Sequence, residues 1–414
     1  MSRIVFVNRF FYPDYSATSQ ILSDLTFHLA ASGEEVHVIA SRQTYENPEA
    51  NLHGEEVVRG VHVHRVASTR YGRTGLAGRS VDYLSFYWSV LREASRMIAP
   101  GDVVIAMTDP PLLSVIGMIA ATRRRAYLVN WLQDLFPEIA VQLGVPLISG
   151  LPSWSMALLR DRSLKAASAN VVLGRTMRDR IVARGASVSR VHIIQNWTDE
   201  SEIRPVPAGE NPLRREWGLN DKFVVGYSGN LGRAHEFETI LDASEFLRNQ
   251  KRIVFLFIGG GYRIDDLARR VGKRGLDHIY RFLPYQDRAQ LRFSLSVPDV
   301  HWISLKPELE GLIFPSKFYG IAAAGRPILA IMAERGEISG LVRENDCGFV
   351  VPPGHGLALA DAIAKLSEDP ELVSRMGQRA RSLVEARFPR RKALDQWQVL
   401  LREVIASTLT CGQG

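Results

Sequence analysis

Two short stretches of this 414-residue chain combine side chains suited to holding an anion. In Glu310-Gly311-Leu312-Ile313-Phe314-Pro315-Ser316-Lys317 a carboxylate and a glycine turn are followed by a proline suited to a first helical turn and a lysine just inside the helix. A helix start presents unpaired N–H groups and the positive end of its dipole, and with Ser316 and Lys317 alongside that is chemistry for a phosphate. The apolar residues that follow stop at Gly325-Arg326-Pro327, ahead of a strand-like run at 328–331. Taken alone, the stretch fits a buried helix with a surface lysine equally well. The second stretch, Ser228-Gly229-Asn230-Leu231-Gly232-Arg233, follows a strand-like run at 223–227. Its glycines permit close backbone approach, and Arg233 offers several donors to an anion. Two such turns, each after a strand, favour the phosphate. A third strand-end turn, Arg281-Phe282-Leu283-Pro284-Tyr285, fits a flat nucleobase as well as a plain connection.

The first half of the chain carries different chemistry. Asn130-Trp131-Leu132-Gln133-Asp134-Leu135-Phe136-Pro137-Glu138 brings an amide, two carboxylates and two aromatics to one strand end. Asp134 is either a catalytic or substrate-orienting carboxylate or the cap of the next helix; the crowding of Gln133 and Glu138 favours the first. The loop at 10–19, which includes Ser16 and Thr18, has aromatics and hydroxyls where dinucleotide enzymes have G-x-G-x-x-G. Between 80 and 98, Tyr83, Phe86, Tyr87 and Trp88 share a helical segment with Arg92 and Arg96. That composition fits a membrane-facing patch, and core packing accounts for it too. No D-x-D occurs, and Cys347 and Cys411 are the only cysteines, so neither an acidic nor a cysteine metal site is indicated.

The elements that must position these residues follow from periodicity. Short apolar runs at 4–7, 36–40, 61–66, 103–107, 126–130 and 169–173 alternate with helix-length segments, the pattern of parallel strands with crossover helices. Past a polar, proline-containing boundary near 198 it restarts, with runs at 223–227, 253–258, 278–281, 300–303 and 328–331. The expectation is an α/β chain of two doubly wound domains, 1–198 and 199–387. A final amphipathic helix over 388–410 carries Leu394, Trp397, Leu400, Leu401 and Val404 on one face. In doubly wound sheets ligands lie outside the carboxyl ends of the strands, which is where the stretches above fall.

Formal charge is +7, with 21 basic against 16 acidic side chains in residues 1–198. A basic first half suits an anionic surface or a phosphate-bearing acceptor, and solvated surface charge explains it as well. No basic run is interleaved with stacking aromatics, so nucleic acid is not an expected partner. The apolar run at 112–121 is too short to span a bilayer and reads as a buried helix, and the opening residues lack a signal-peptide pattern. A cytoplasmic protein is expected, with contact at the inner face of the cell membrane as an option.

Three motifs, residues 226–233, 131–138 and 310–320, resemble those of retaining glycosyltransferases of the GT-B class, family four, in the bacterial branch that builds capsule, O-antigen and exopolysaccharide units. Relatives in that branch include L-fucosamine transferases. The resemblance implies two Rossmann-like domains facing across a cleft, with the final helix crossing back to the first. It also implies a nucleotide-sugar donor on the second domain, most simply a UDP-sugar, with no further cofactor, and a glycan or lipid-linked acceptor on the first. N-acetyl-L-fucosamine or another deoxysugar is the implied group transferred. Gly229, Asn230, Gly232 and Arg233 match the loop beneath the diphosphate, and Lys317 the basic position beside the phosphates. Glu310, Gly311 and Leu312 match the segment that meets the donor sugar, while Leu283 and Ser316 complete the expected donor side. On the acceptor side stand Ser16, Thr18, Gln133, Asp134 and Glu138. Asp134, Glu310, Arg233 and Lys317 are the expected catalytic set. One departure is evident: Gly320 stands where the broad family has a glutamate that usually contacts ribose. Two rival readings are a sugar-nucleotide epimerase of the same fold and a non-catalytic nucleotide-sugar-binding assembly subunit.

Overall fold

A computed structural model describes residues 2–45, 47–72, 75–146 and 148–411, with side chains as far as residue 406. The chain forms two compact units. One runs to Gln195 and takes in Leu312–Phe314 and the chain from Arg391 onward; the other comprises Asn196–Gly311 and Pro315–Arg390.

The first unit is built on eight strands: β1 (Ile4–Val7), β2 (Val36–Ser41), β3 (Glu55–Val58), β4 (Val61–Val66), β5 (Val103–Ala106), β6 (Tyr127–Trp131), β7 (Ala169–Val172) and β8 (Val191–Ile193). Their order across the sheet is β3-β4-β2-β1-β5-β6-β7-β8. All neighbours are parallel except the edge hairpin β3–β4, which turns through Arg59 and Gly60, both at positive φ. β1, β2 and β5 are buried along their whole length, as strands covered by helices on both faces must be. From β1 the chain winds outward through β2 to the β4 edge, then returns to β5 on the other side of β1. That reversal leaves a crevice at the carboxyl ends of β1 and β5.

The second unit repeats the plan with β9 (Phe223–Asn230), β10 (Ile253–Gly260), β11 (Tyr280–Leu283), β12 (Val300–Ser304), β13 (Ile328–Ile331) and β14 (Gly348–Val351), all parallel, in the order β11-β10-β9-β12-β13-β14. Here the reversal falls between β9 and β12. Its core gathers Tyr227, Phe257, Trp302 and Leu329 from the strands with Ile240 and Ile363 from the covering helices.

Several expected boundaries move. Residues 228–230, expected in a turn, continue β9, and Gly259 and Gly260 likewise extend β10. Gly229 pairs with Gly259 across the ladder, where a Cβ on Gly259 would lie 2.3 Å from the Gly229 carbonyl oxygen. The strand expected over 278–281 begins two residues later. β3 and β14 had no reading from sequence. Pro315 is not in the first turn of its helix: the helix is Lys317–Ala323 with Ser316 at the cap position, so the proline lies just ahead of it. The helix expected across 112–121 is present as Leu113–Arg124. Among the described residues no helix is long and apolar enough to cross a membrane.

The last helix, Arg390–Cys411, buries Leu394, Trp397, Leu400, Leu401 and Val404, the stripe read from sequence. Trp397 packs on Trp131 at the end of β6, with ring centroids 4.6 Å apart.

Candidate functional site

In the second unit the reversal between β9 and β12 brings Lys317 and His235 together at the strand end. Gly229 near the end of β9 has φ +116°, a conformation open to glycine, and a Cβ there would meet Lys317 Cε at 3.0 Å. The missing side chain is what lets Lys317 lie along the strand end. Its Nζ is 3.3 Å from His235 Nε2 and 5.2 Å from the centre of the Tyr227 ring. His235 Nδ1 lies 2.8 Å from the Ser304 carbonyl, which can only accept, so Nδ1 bears the proton and Nε2 accepts from the lysine. Burial, then the Lys317 charge, lowers the His235 pKa to about 3, so the imidazole is neutral. Burial alone brings the Lys317 pKa down to about 8, and among the described residues no carboxylate forms an ion pair with it. A half-buried cation without a counter-ion, beside a glycine strand end, gains by taking up an anion.

Arg233, exposed, stacks on the exposed Tyr262 ring at 4.3 Å. The Leu231 N–H donates to the Gly260 carbonyl at 2.8 Å and so is not turned to a ligand. The Asn230 side chain lies against Gly261, where a Cβ would come within 2.2 Å of Asn230 Oδ1. Glu310 Oε1 accepts the Glu337 N–H at 3.0 Å and so caps the helix Glu337–Glu344. Gly311 is at φ +73°, the turn that its sequence setting requires. Ser316 is exposed at the cap of the helix Lys317–Ala323, and Leu283 ends β11 half-buried. Gly320 lies within that helix; a Cβ there would stand 3.5 Å from Leu295 Cδ1, an ordinary contact.

In the first unit the crevice at β1 and β5 holds acidic groups. Asp134 retains some solvent access yet is ringed by protein, and burial first, with the Asp109 charge second, pushes its pKa up to about 7 against a hydrogen bond with Thr108. Asp109 is raised to about 6 by burial, opposed by Arg9, whose backbone N–H donates to the Asp109 carbonyl at 2.8 Å. Asp134 does not cap the following helix, Glu138–Gln142, whose cap position is Pro137. It forms an antiparallel bridge with Ile313, and the adjacent Leu135 N–H donates to the Leu312 carbonyl at 2.9 Å. Leu312 thus groups with the acidic residues of the first unit.

The expected acceptor-side residues are only partly gathered. Glu138 receives Arg160 Nη2 at 2.7 Å and Arg184 Nη2 at 3.1 Å. Burial would raise its pKa, and these hydrogen bonds outweigh it, leaving the carboxyl below its usual range. Gln133 is half-buried beside Asp134. Ser16 occupies the cap position of the helix Ala17–Ala31 without a side-chain hydrogen bond to it, and its N–H is held by Asp14 Oδ1 at 2.7 Å; Thr18 lies in the first turn. Sequence reasoning passed over His235, two positions beyond Gly232-Arg233; Asp109 falls in the strand-end loop 108–111 that the order of runs marks as a place for function, although no role was read for the residue itself.

Comparison with known proteins gives matching families for both units. Residues 17–197 match the glycosyl transferase 4-like domain, and residues 210–383 match glycosyl transferases group 1. A Pseudomonas aeruginosa protein described as probable glycosyltransferase WbjE is 31% identical over 316 residues, 74% of this chain and 76% of that protein. An Escherichia coli (strain K12) protein named "Putative colanic acid biosynthesis glycosyl transferase WcaI" is 27% identical over 52% of this chain and 54% of its own length. The crystal structure of Anabaena HepE in complex with UDP and glucose superposes with a TM-score of 0.73 at 18% identity, over 97% of this chain and all of that one, a likeness of fold.

Proposed function

Since the chain belongs to the glycosyltransferases with a 4-like first domain and a group 1 second domain, and is therefore a sugar-transferring enzyme, we propose that its second unit holds a nucleotide diphosphate sugar and its first unit the accepting hydroxyl. The observation that carries this reading is Lys317: a cation without a carboxylate partner, beside the positive-φ Gly229 at the sheet reversal. There it would meet the charge that develops on a departing diphosphate, with Arg233 as a second, exposed donor. Basic side chains would do this work in place of a metal, so turnover is expected to survive chelation. A UDP donor agrees with the ligand named for the Anabaena structure.

Asp134 supplies the matching acceptor chemistry. A carboxyl with a pKa near 7 is poised to take a proton from an attacking hydroxyl at neutral pH. Retention at the anomeric carbon and an N-acetyl-L-fucosamine or related deoxysugar donor follow from the family resemblance. A surface-polysaccharide setting is supported by the name of the Escherichia coli relative. We place the acceptor on a lipid-linked diphosphate at the membrane face. Support comes from Leu84 and Trp88 on the helix Leu76–Met97, and from Leu151 and Trp154 on the helix Leu151–Ala166, all of which lie exposed in the first unit.

The test is a thermal-shift screen of the intact chain against nucleotide diphosphates and their sugars, followed by turnover assays with the best binder. A ligand that binds the native state alone raises the melting temperature. Lys317→Ala is expected to lower kcat/KM about a hundredfold or more; unchanged turnover at saturating donor would remove the leaving-group role. Incubation with sugar nucleotide alone tests epimerisation, since a changed sugar still joined to its nucleotide would replace transfer as the reaction.

A further inference from the structure

A second titratable cluster lies in the first unit, on the face of the sheet that carries the helix Leu76–Met97. Strand register places Glu55 of β3 opposite His64 of β4, and His62 of β4 opposite His37 of β2. The helix Leu76–Met97 adds Glu93, whose Oε1 is 3.8 Å from His64 Nδ1. One donor atom each from Glu55, His64 and Glu93 lies within 4.8 Å of the others.

The hydrogen bonds behind His64 fix which of its nitrogens faces the carboxylates bare. His37 Nε2 lies 3.2 Å from Glu35 Oε1, and a carboxylate oxygen accepts, so Nε2 carries the His37 proton. His37 Nδ1 is then a lone pair, and His64 Nε2, 3.0 Å away, must donate to it. A neutral His64 is left with a lone pair on Nδ1. That atom is buried and lacks a hydrogen-bond partner. An electron pair aimed at carboxylates is repulsive unless a cation stands between them. The neighbouring arginines do not fill the gap: Arg96 reaches Glu93 Oε2 only at 3.8 Å, and Arg3 is bound to Asp102 at 2.8 Å.

We propose that Glu55, His64 and Glu93 form a divalent-metal site of the Zn2+ class, with His37 and Glu35 as the outer shell that fixes the imidazole tautomer. One imidazole and two carboxylates give three protein donors and leave a fourth position for water. Zn2+ bonds of about 2.0–2.2 Å would hold tetrahedral donors about 3.3–3.6 Å apart, so side-chain rotations that bring the donors together by up to about 1.5 Å close the present spread. The ion would tie the edge strand β3 and its neighbour β4 to the covering helix, a stabilising role separate from Lys317 and Asp134.

The test uses the intact chain stripped of metal, titrated with ZnCl2 by calorimetry and followed by melting temperature. Wild type is expected to take one equivalent and melt higher. Both effects should vanish in His64→Gln and Glu93→Gln, and His37→Gln should weaken affinity about 10–100-fold. His53→Gln, an exposed histidine outside the cluster, should bind as wild type does. Nitrogen NMR of the wild-type histidines gives a readout that does not depend on variants folding: Zn2+ should shift His64 Nδ1 and leave its Nε2–H in place. Absence of that shift in excess Zn2+, or binding that survives in both His64→Gln and Glu93→Gln, overturns the proposal.

Discussion

Burial moves Lys317 and Asp134 toward neutrality from opposite sides, the ammonium down to about 8 and the carboxyl up to about 7. For Asp134 this has a stability consequence whose sign is fixed by linkage. The folded state holds the proton more tightly than the unfolded chain, so the native state gains at low pH and loses that gain as pH rises from about 4 through 7. Asp134→Asn cannot ionise. Unfolding measured at pH 5 and pH 8 should show the variant losing less stability across that interval, a difference on the order of a few kcal/mol. Turnover of the variant should fall as well, and a normal rate would remove the base. Gly320 makes a different prediction. A Cβ there meets only an ordinary contact with Leu295, so Gly320→Glu is expected to fold. With the ribose where the family places it, donor KM should drop while kcat stays level; an unchanged KM would put the ribose elsewhere. Lys317 was legible in the sequence because a glycine turn and a helix start flank it. His235 was not, since its value rests on Ser304 and Lys317, 69 and 82 residues away.

Elements were legible where periodicity is strong. The fully buried parallel strands read as continuous apolar runs, and the stripe from Leu394 to Val404 read as one helical face. The edge strand β3, with its alternation of exposed and half-buried residues, gave no such run. The ends of β9 and β10 were misplaced because glycines usually break strands; here they extend them, with Gly229 and Gly259 packed backbone to backbone. The final helix should contribute heavily to the first unit. Trp397 is fully buried against Trp131, so Trp397→Ala removes a large contact and leaves a cavity costing about 3–5 kcal/mol, measurable by denaturant unfolding. A loss below about 1 kcal/mol would mean the helix is dispensable to that core.

For the whole molecule, the repeat of one winding plan explains why there are two candidate sites, the proposed anion site and the proposed proton-handling one: each sheet reverses once, and each reversal opens a crevice at strand ends. That much followed from the order of runs along the chain. The side of each crevice that carries positive or negative charge did not, because it depends on which side chains burial strips of water. Net charge enters through the first unit, with its 21 basic against 16 acidic side chains over residues 1–198 and its exposed Trp88 and Trp154. The chain should sediment with vesicles containing anionic lipid and stay in solution with neutral ones. Replacing both tryptophans by serine should weaken the first behaviour, and equal partitioning to both vesicle types would argue against an electrostatic contribution.

The aromatic stack beneath Lys317 has an optical consequence. Tyr227 lies under the ammonium, and Trp302 sits 4.4 Å beyond it, buried in the core. A ligand that draws Lys317 away changes the electric field at an indole that water cannot reach. The emission of Trp302, separated from the other six tryptophans by subtracting the Trp302→Phe spectrum, should therefore report occupancy of the proposed donor site without a label.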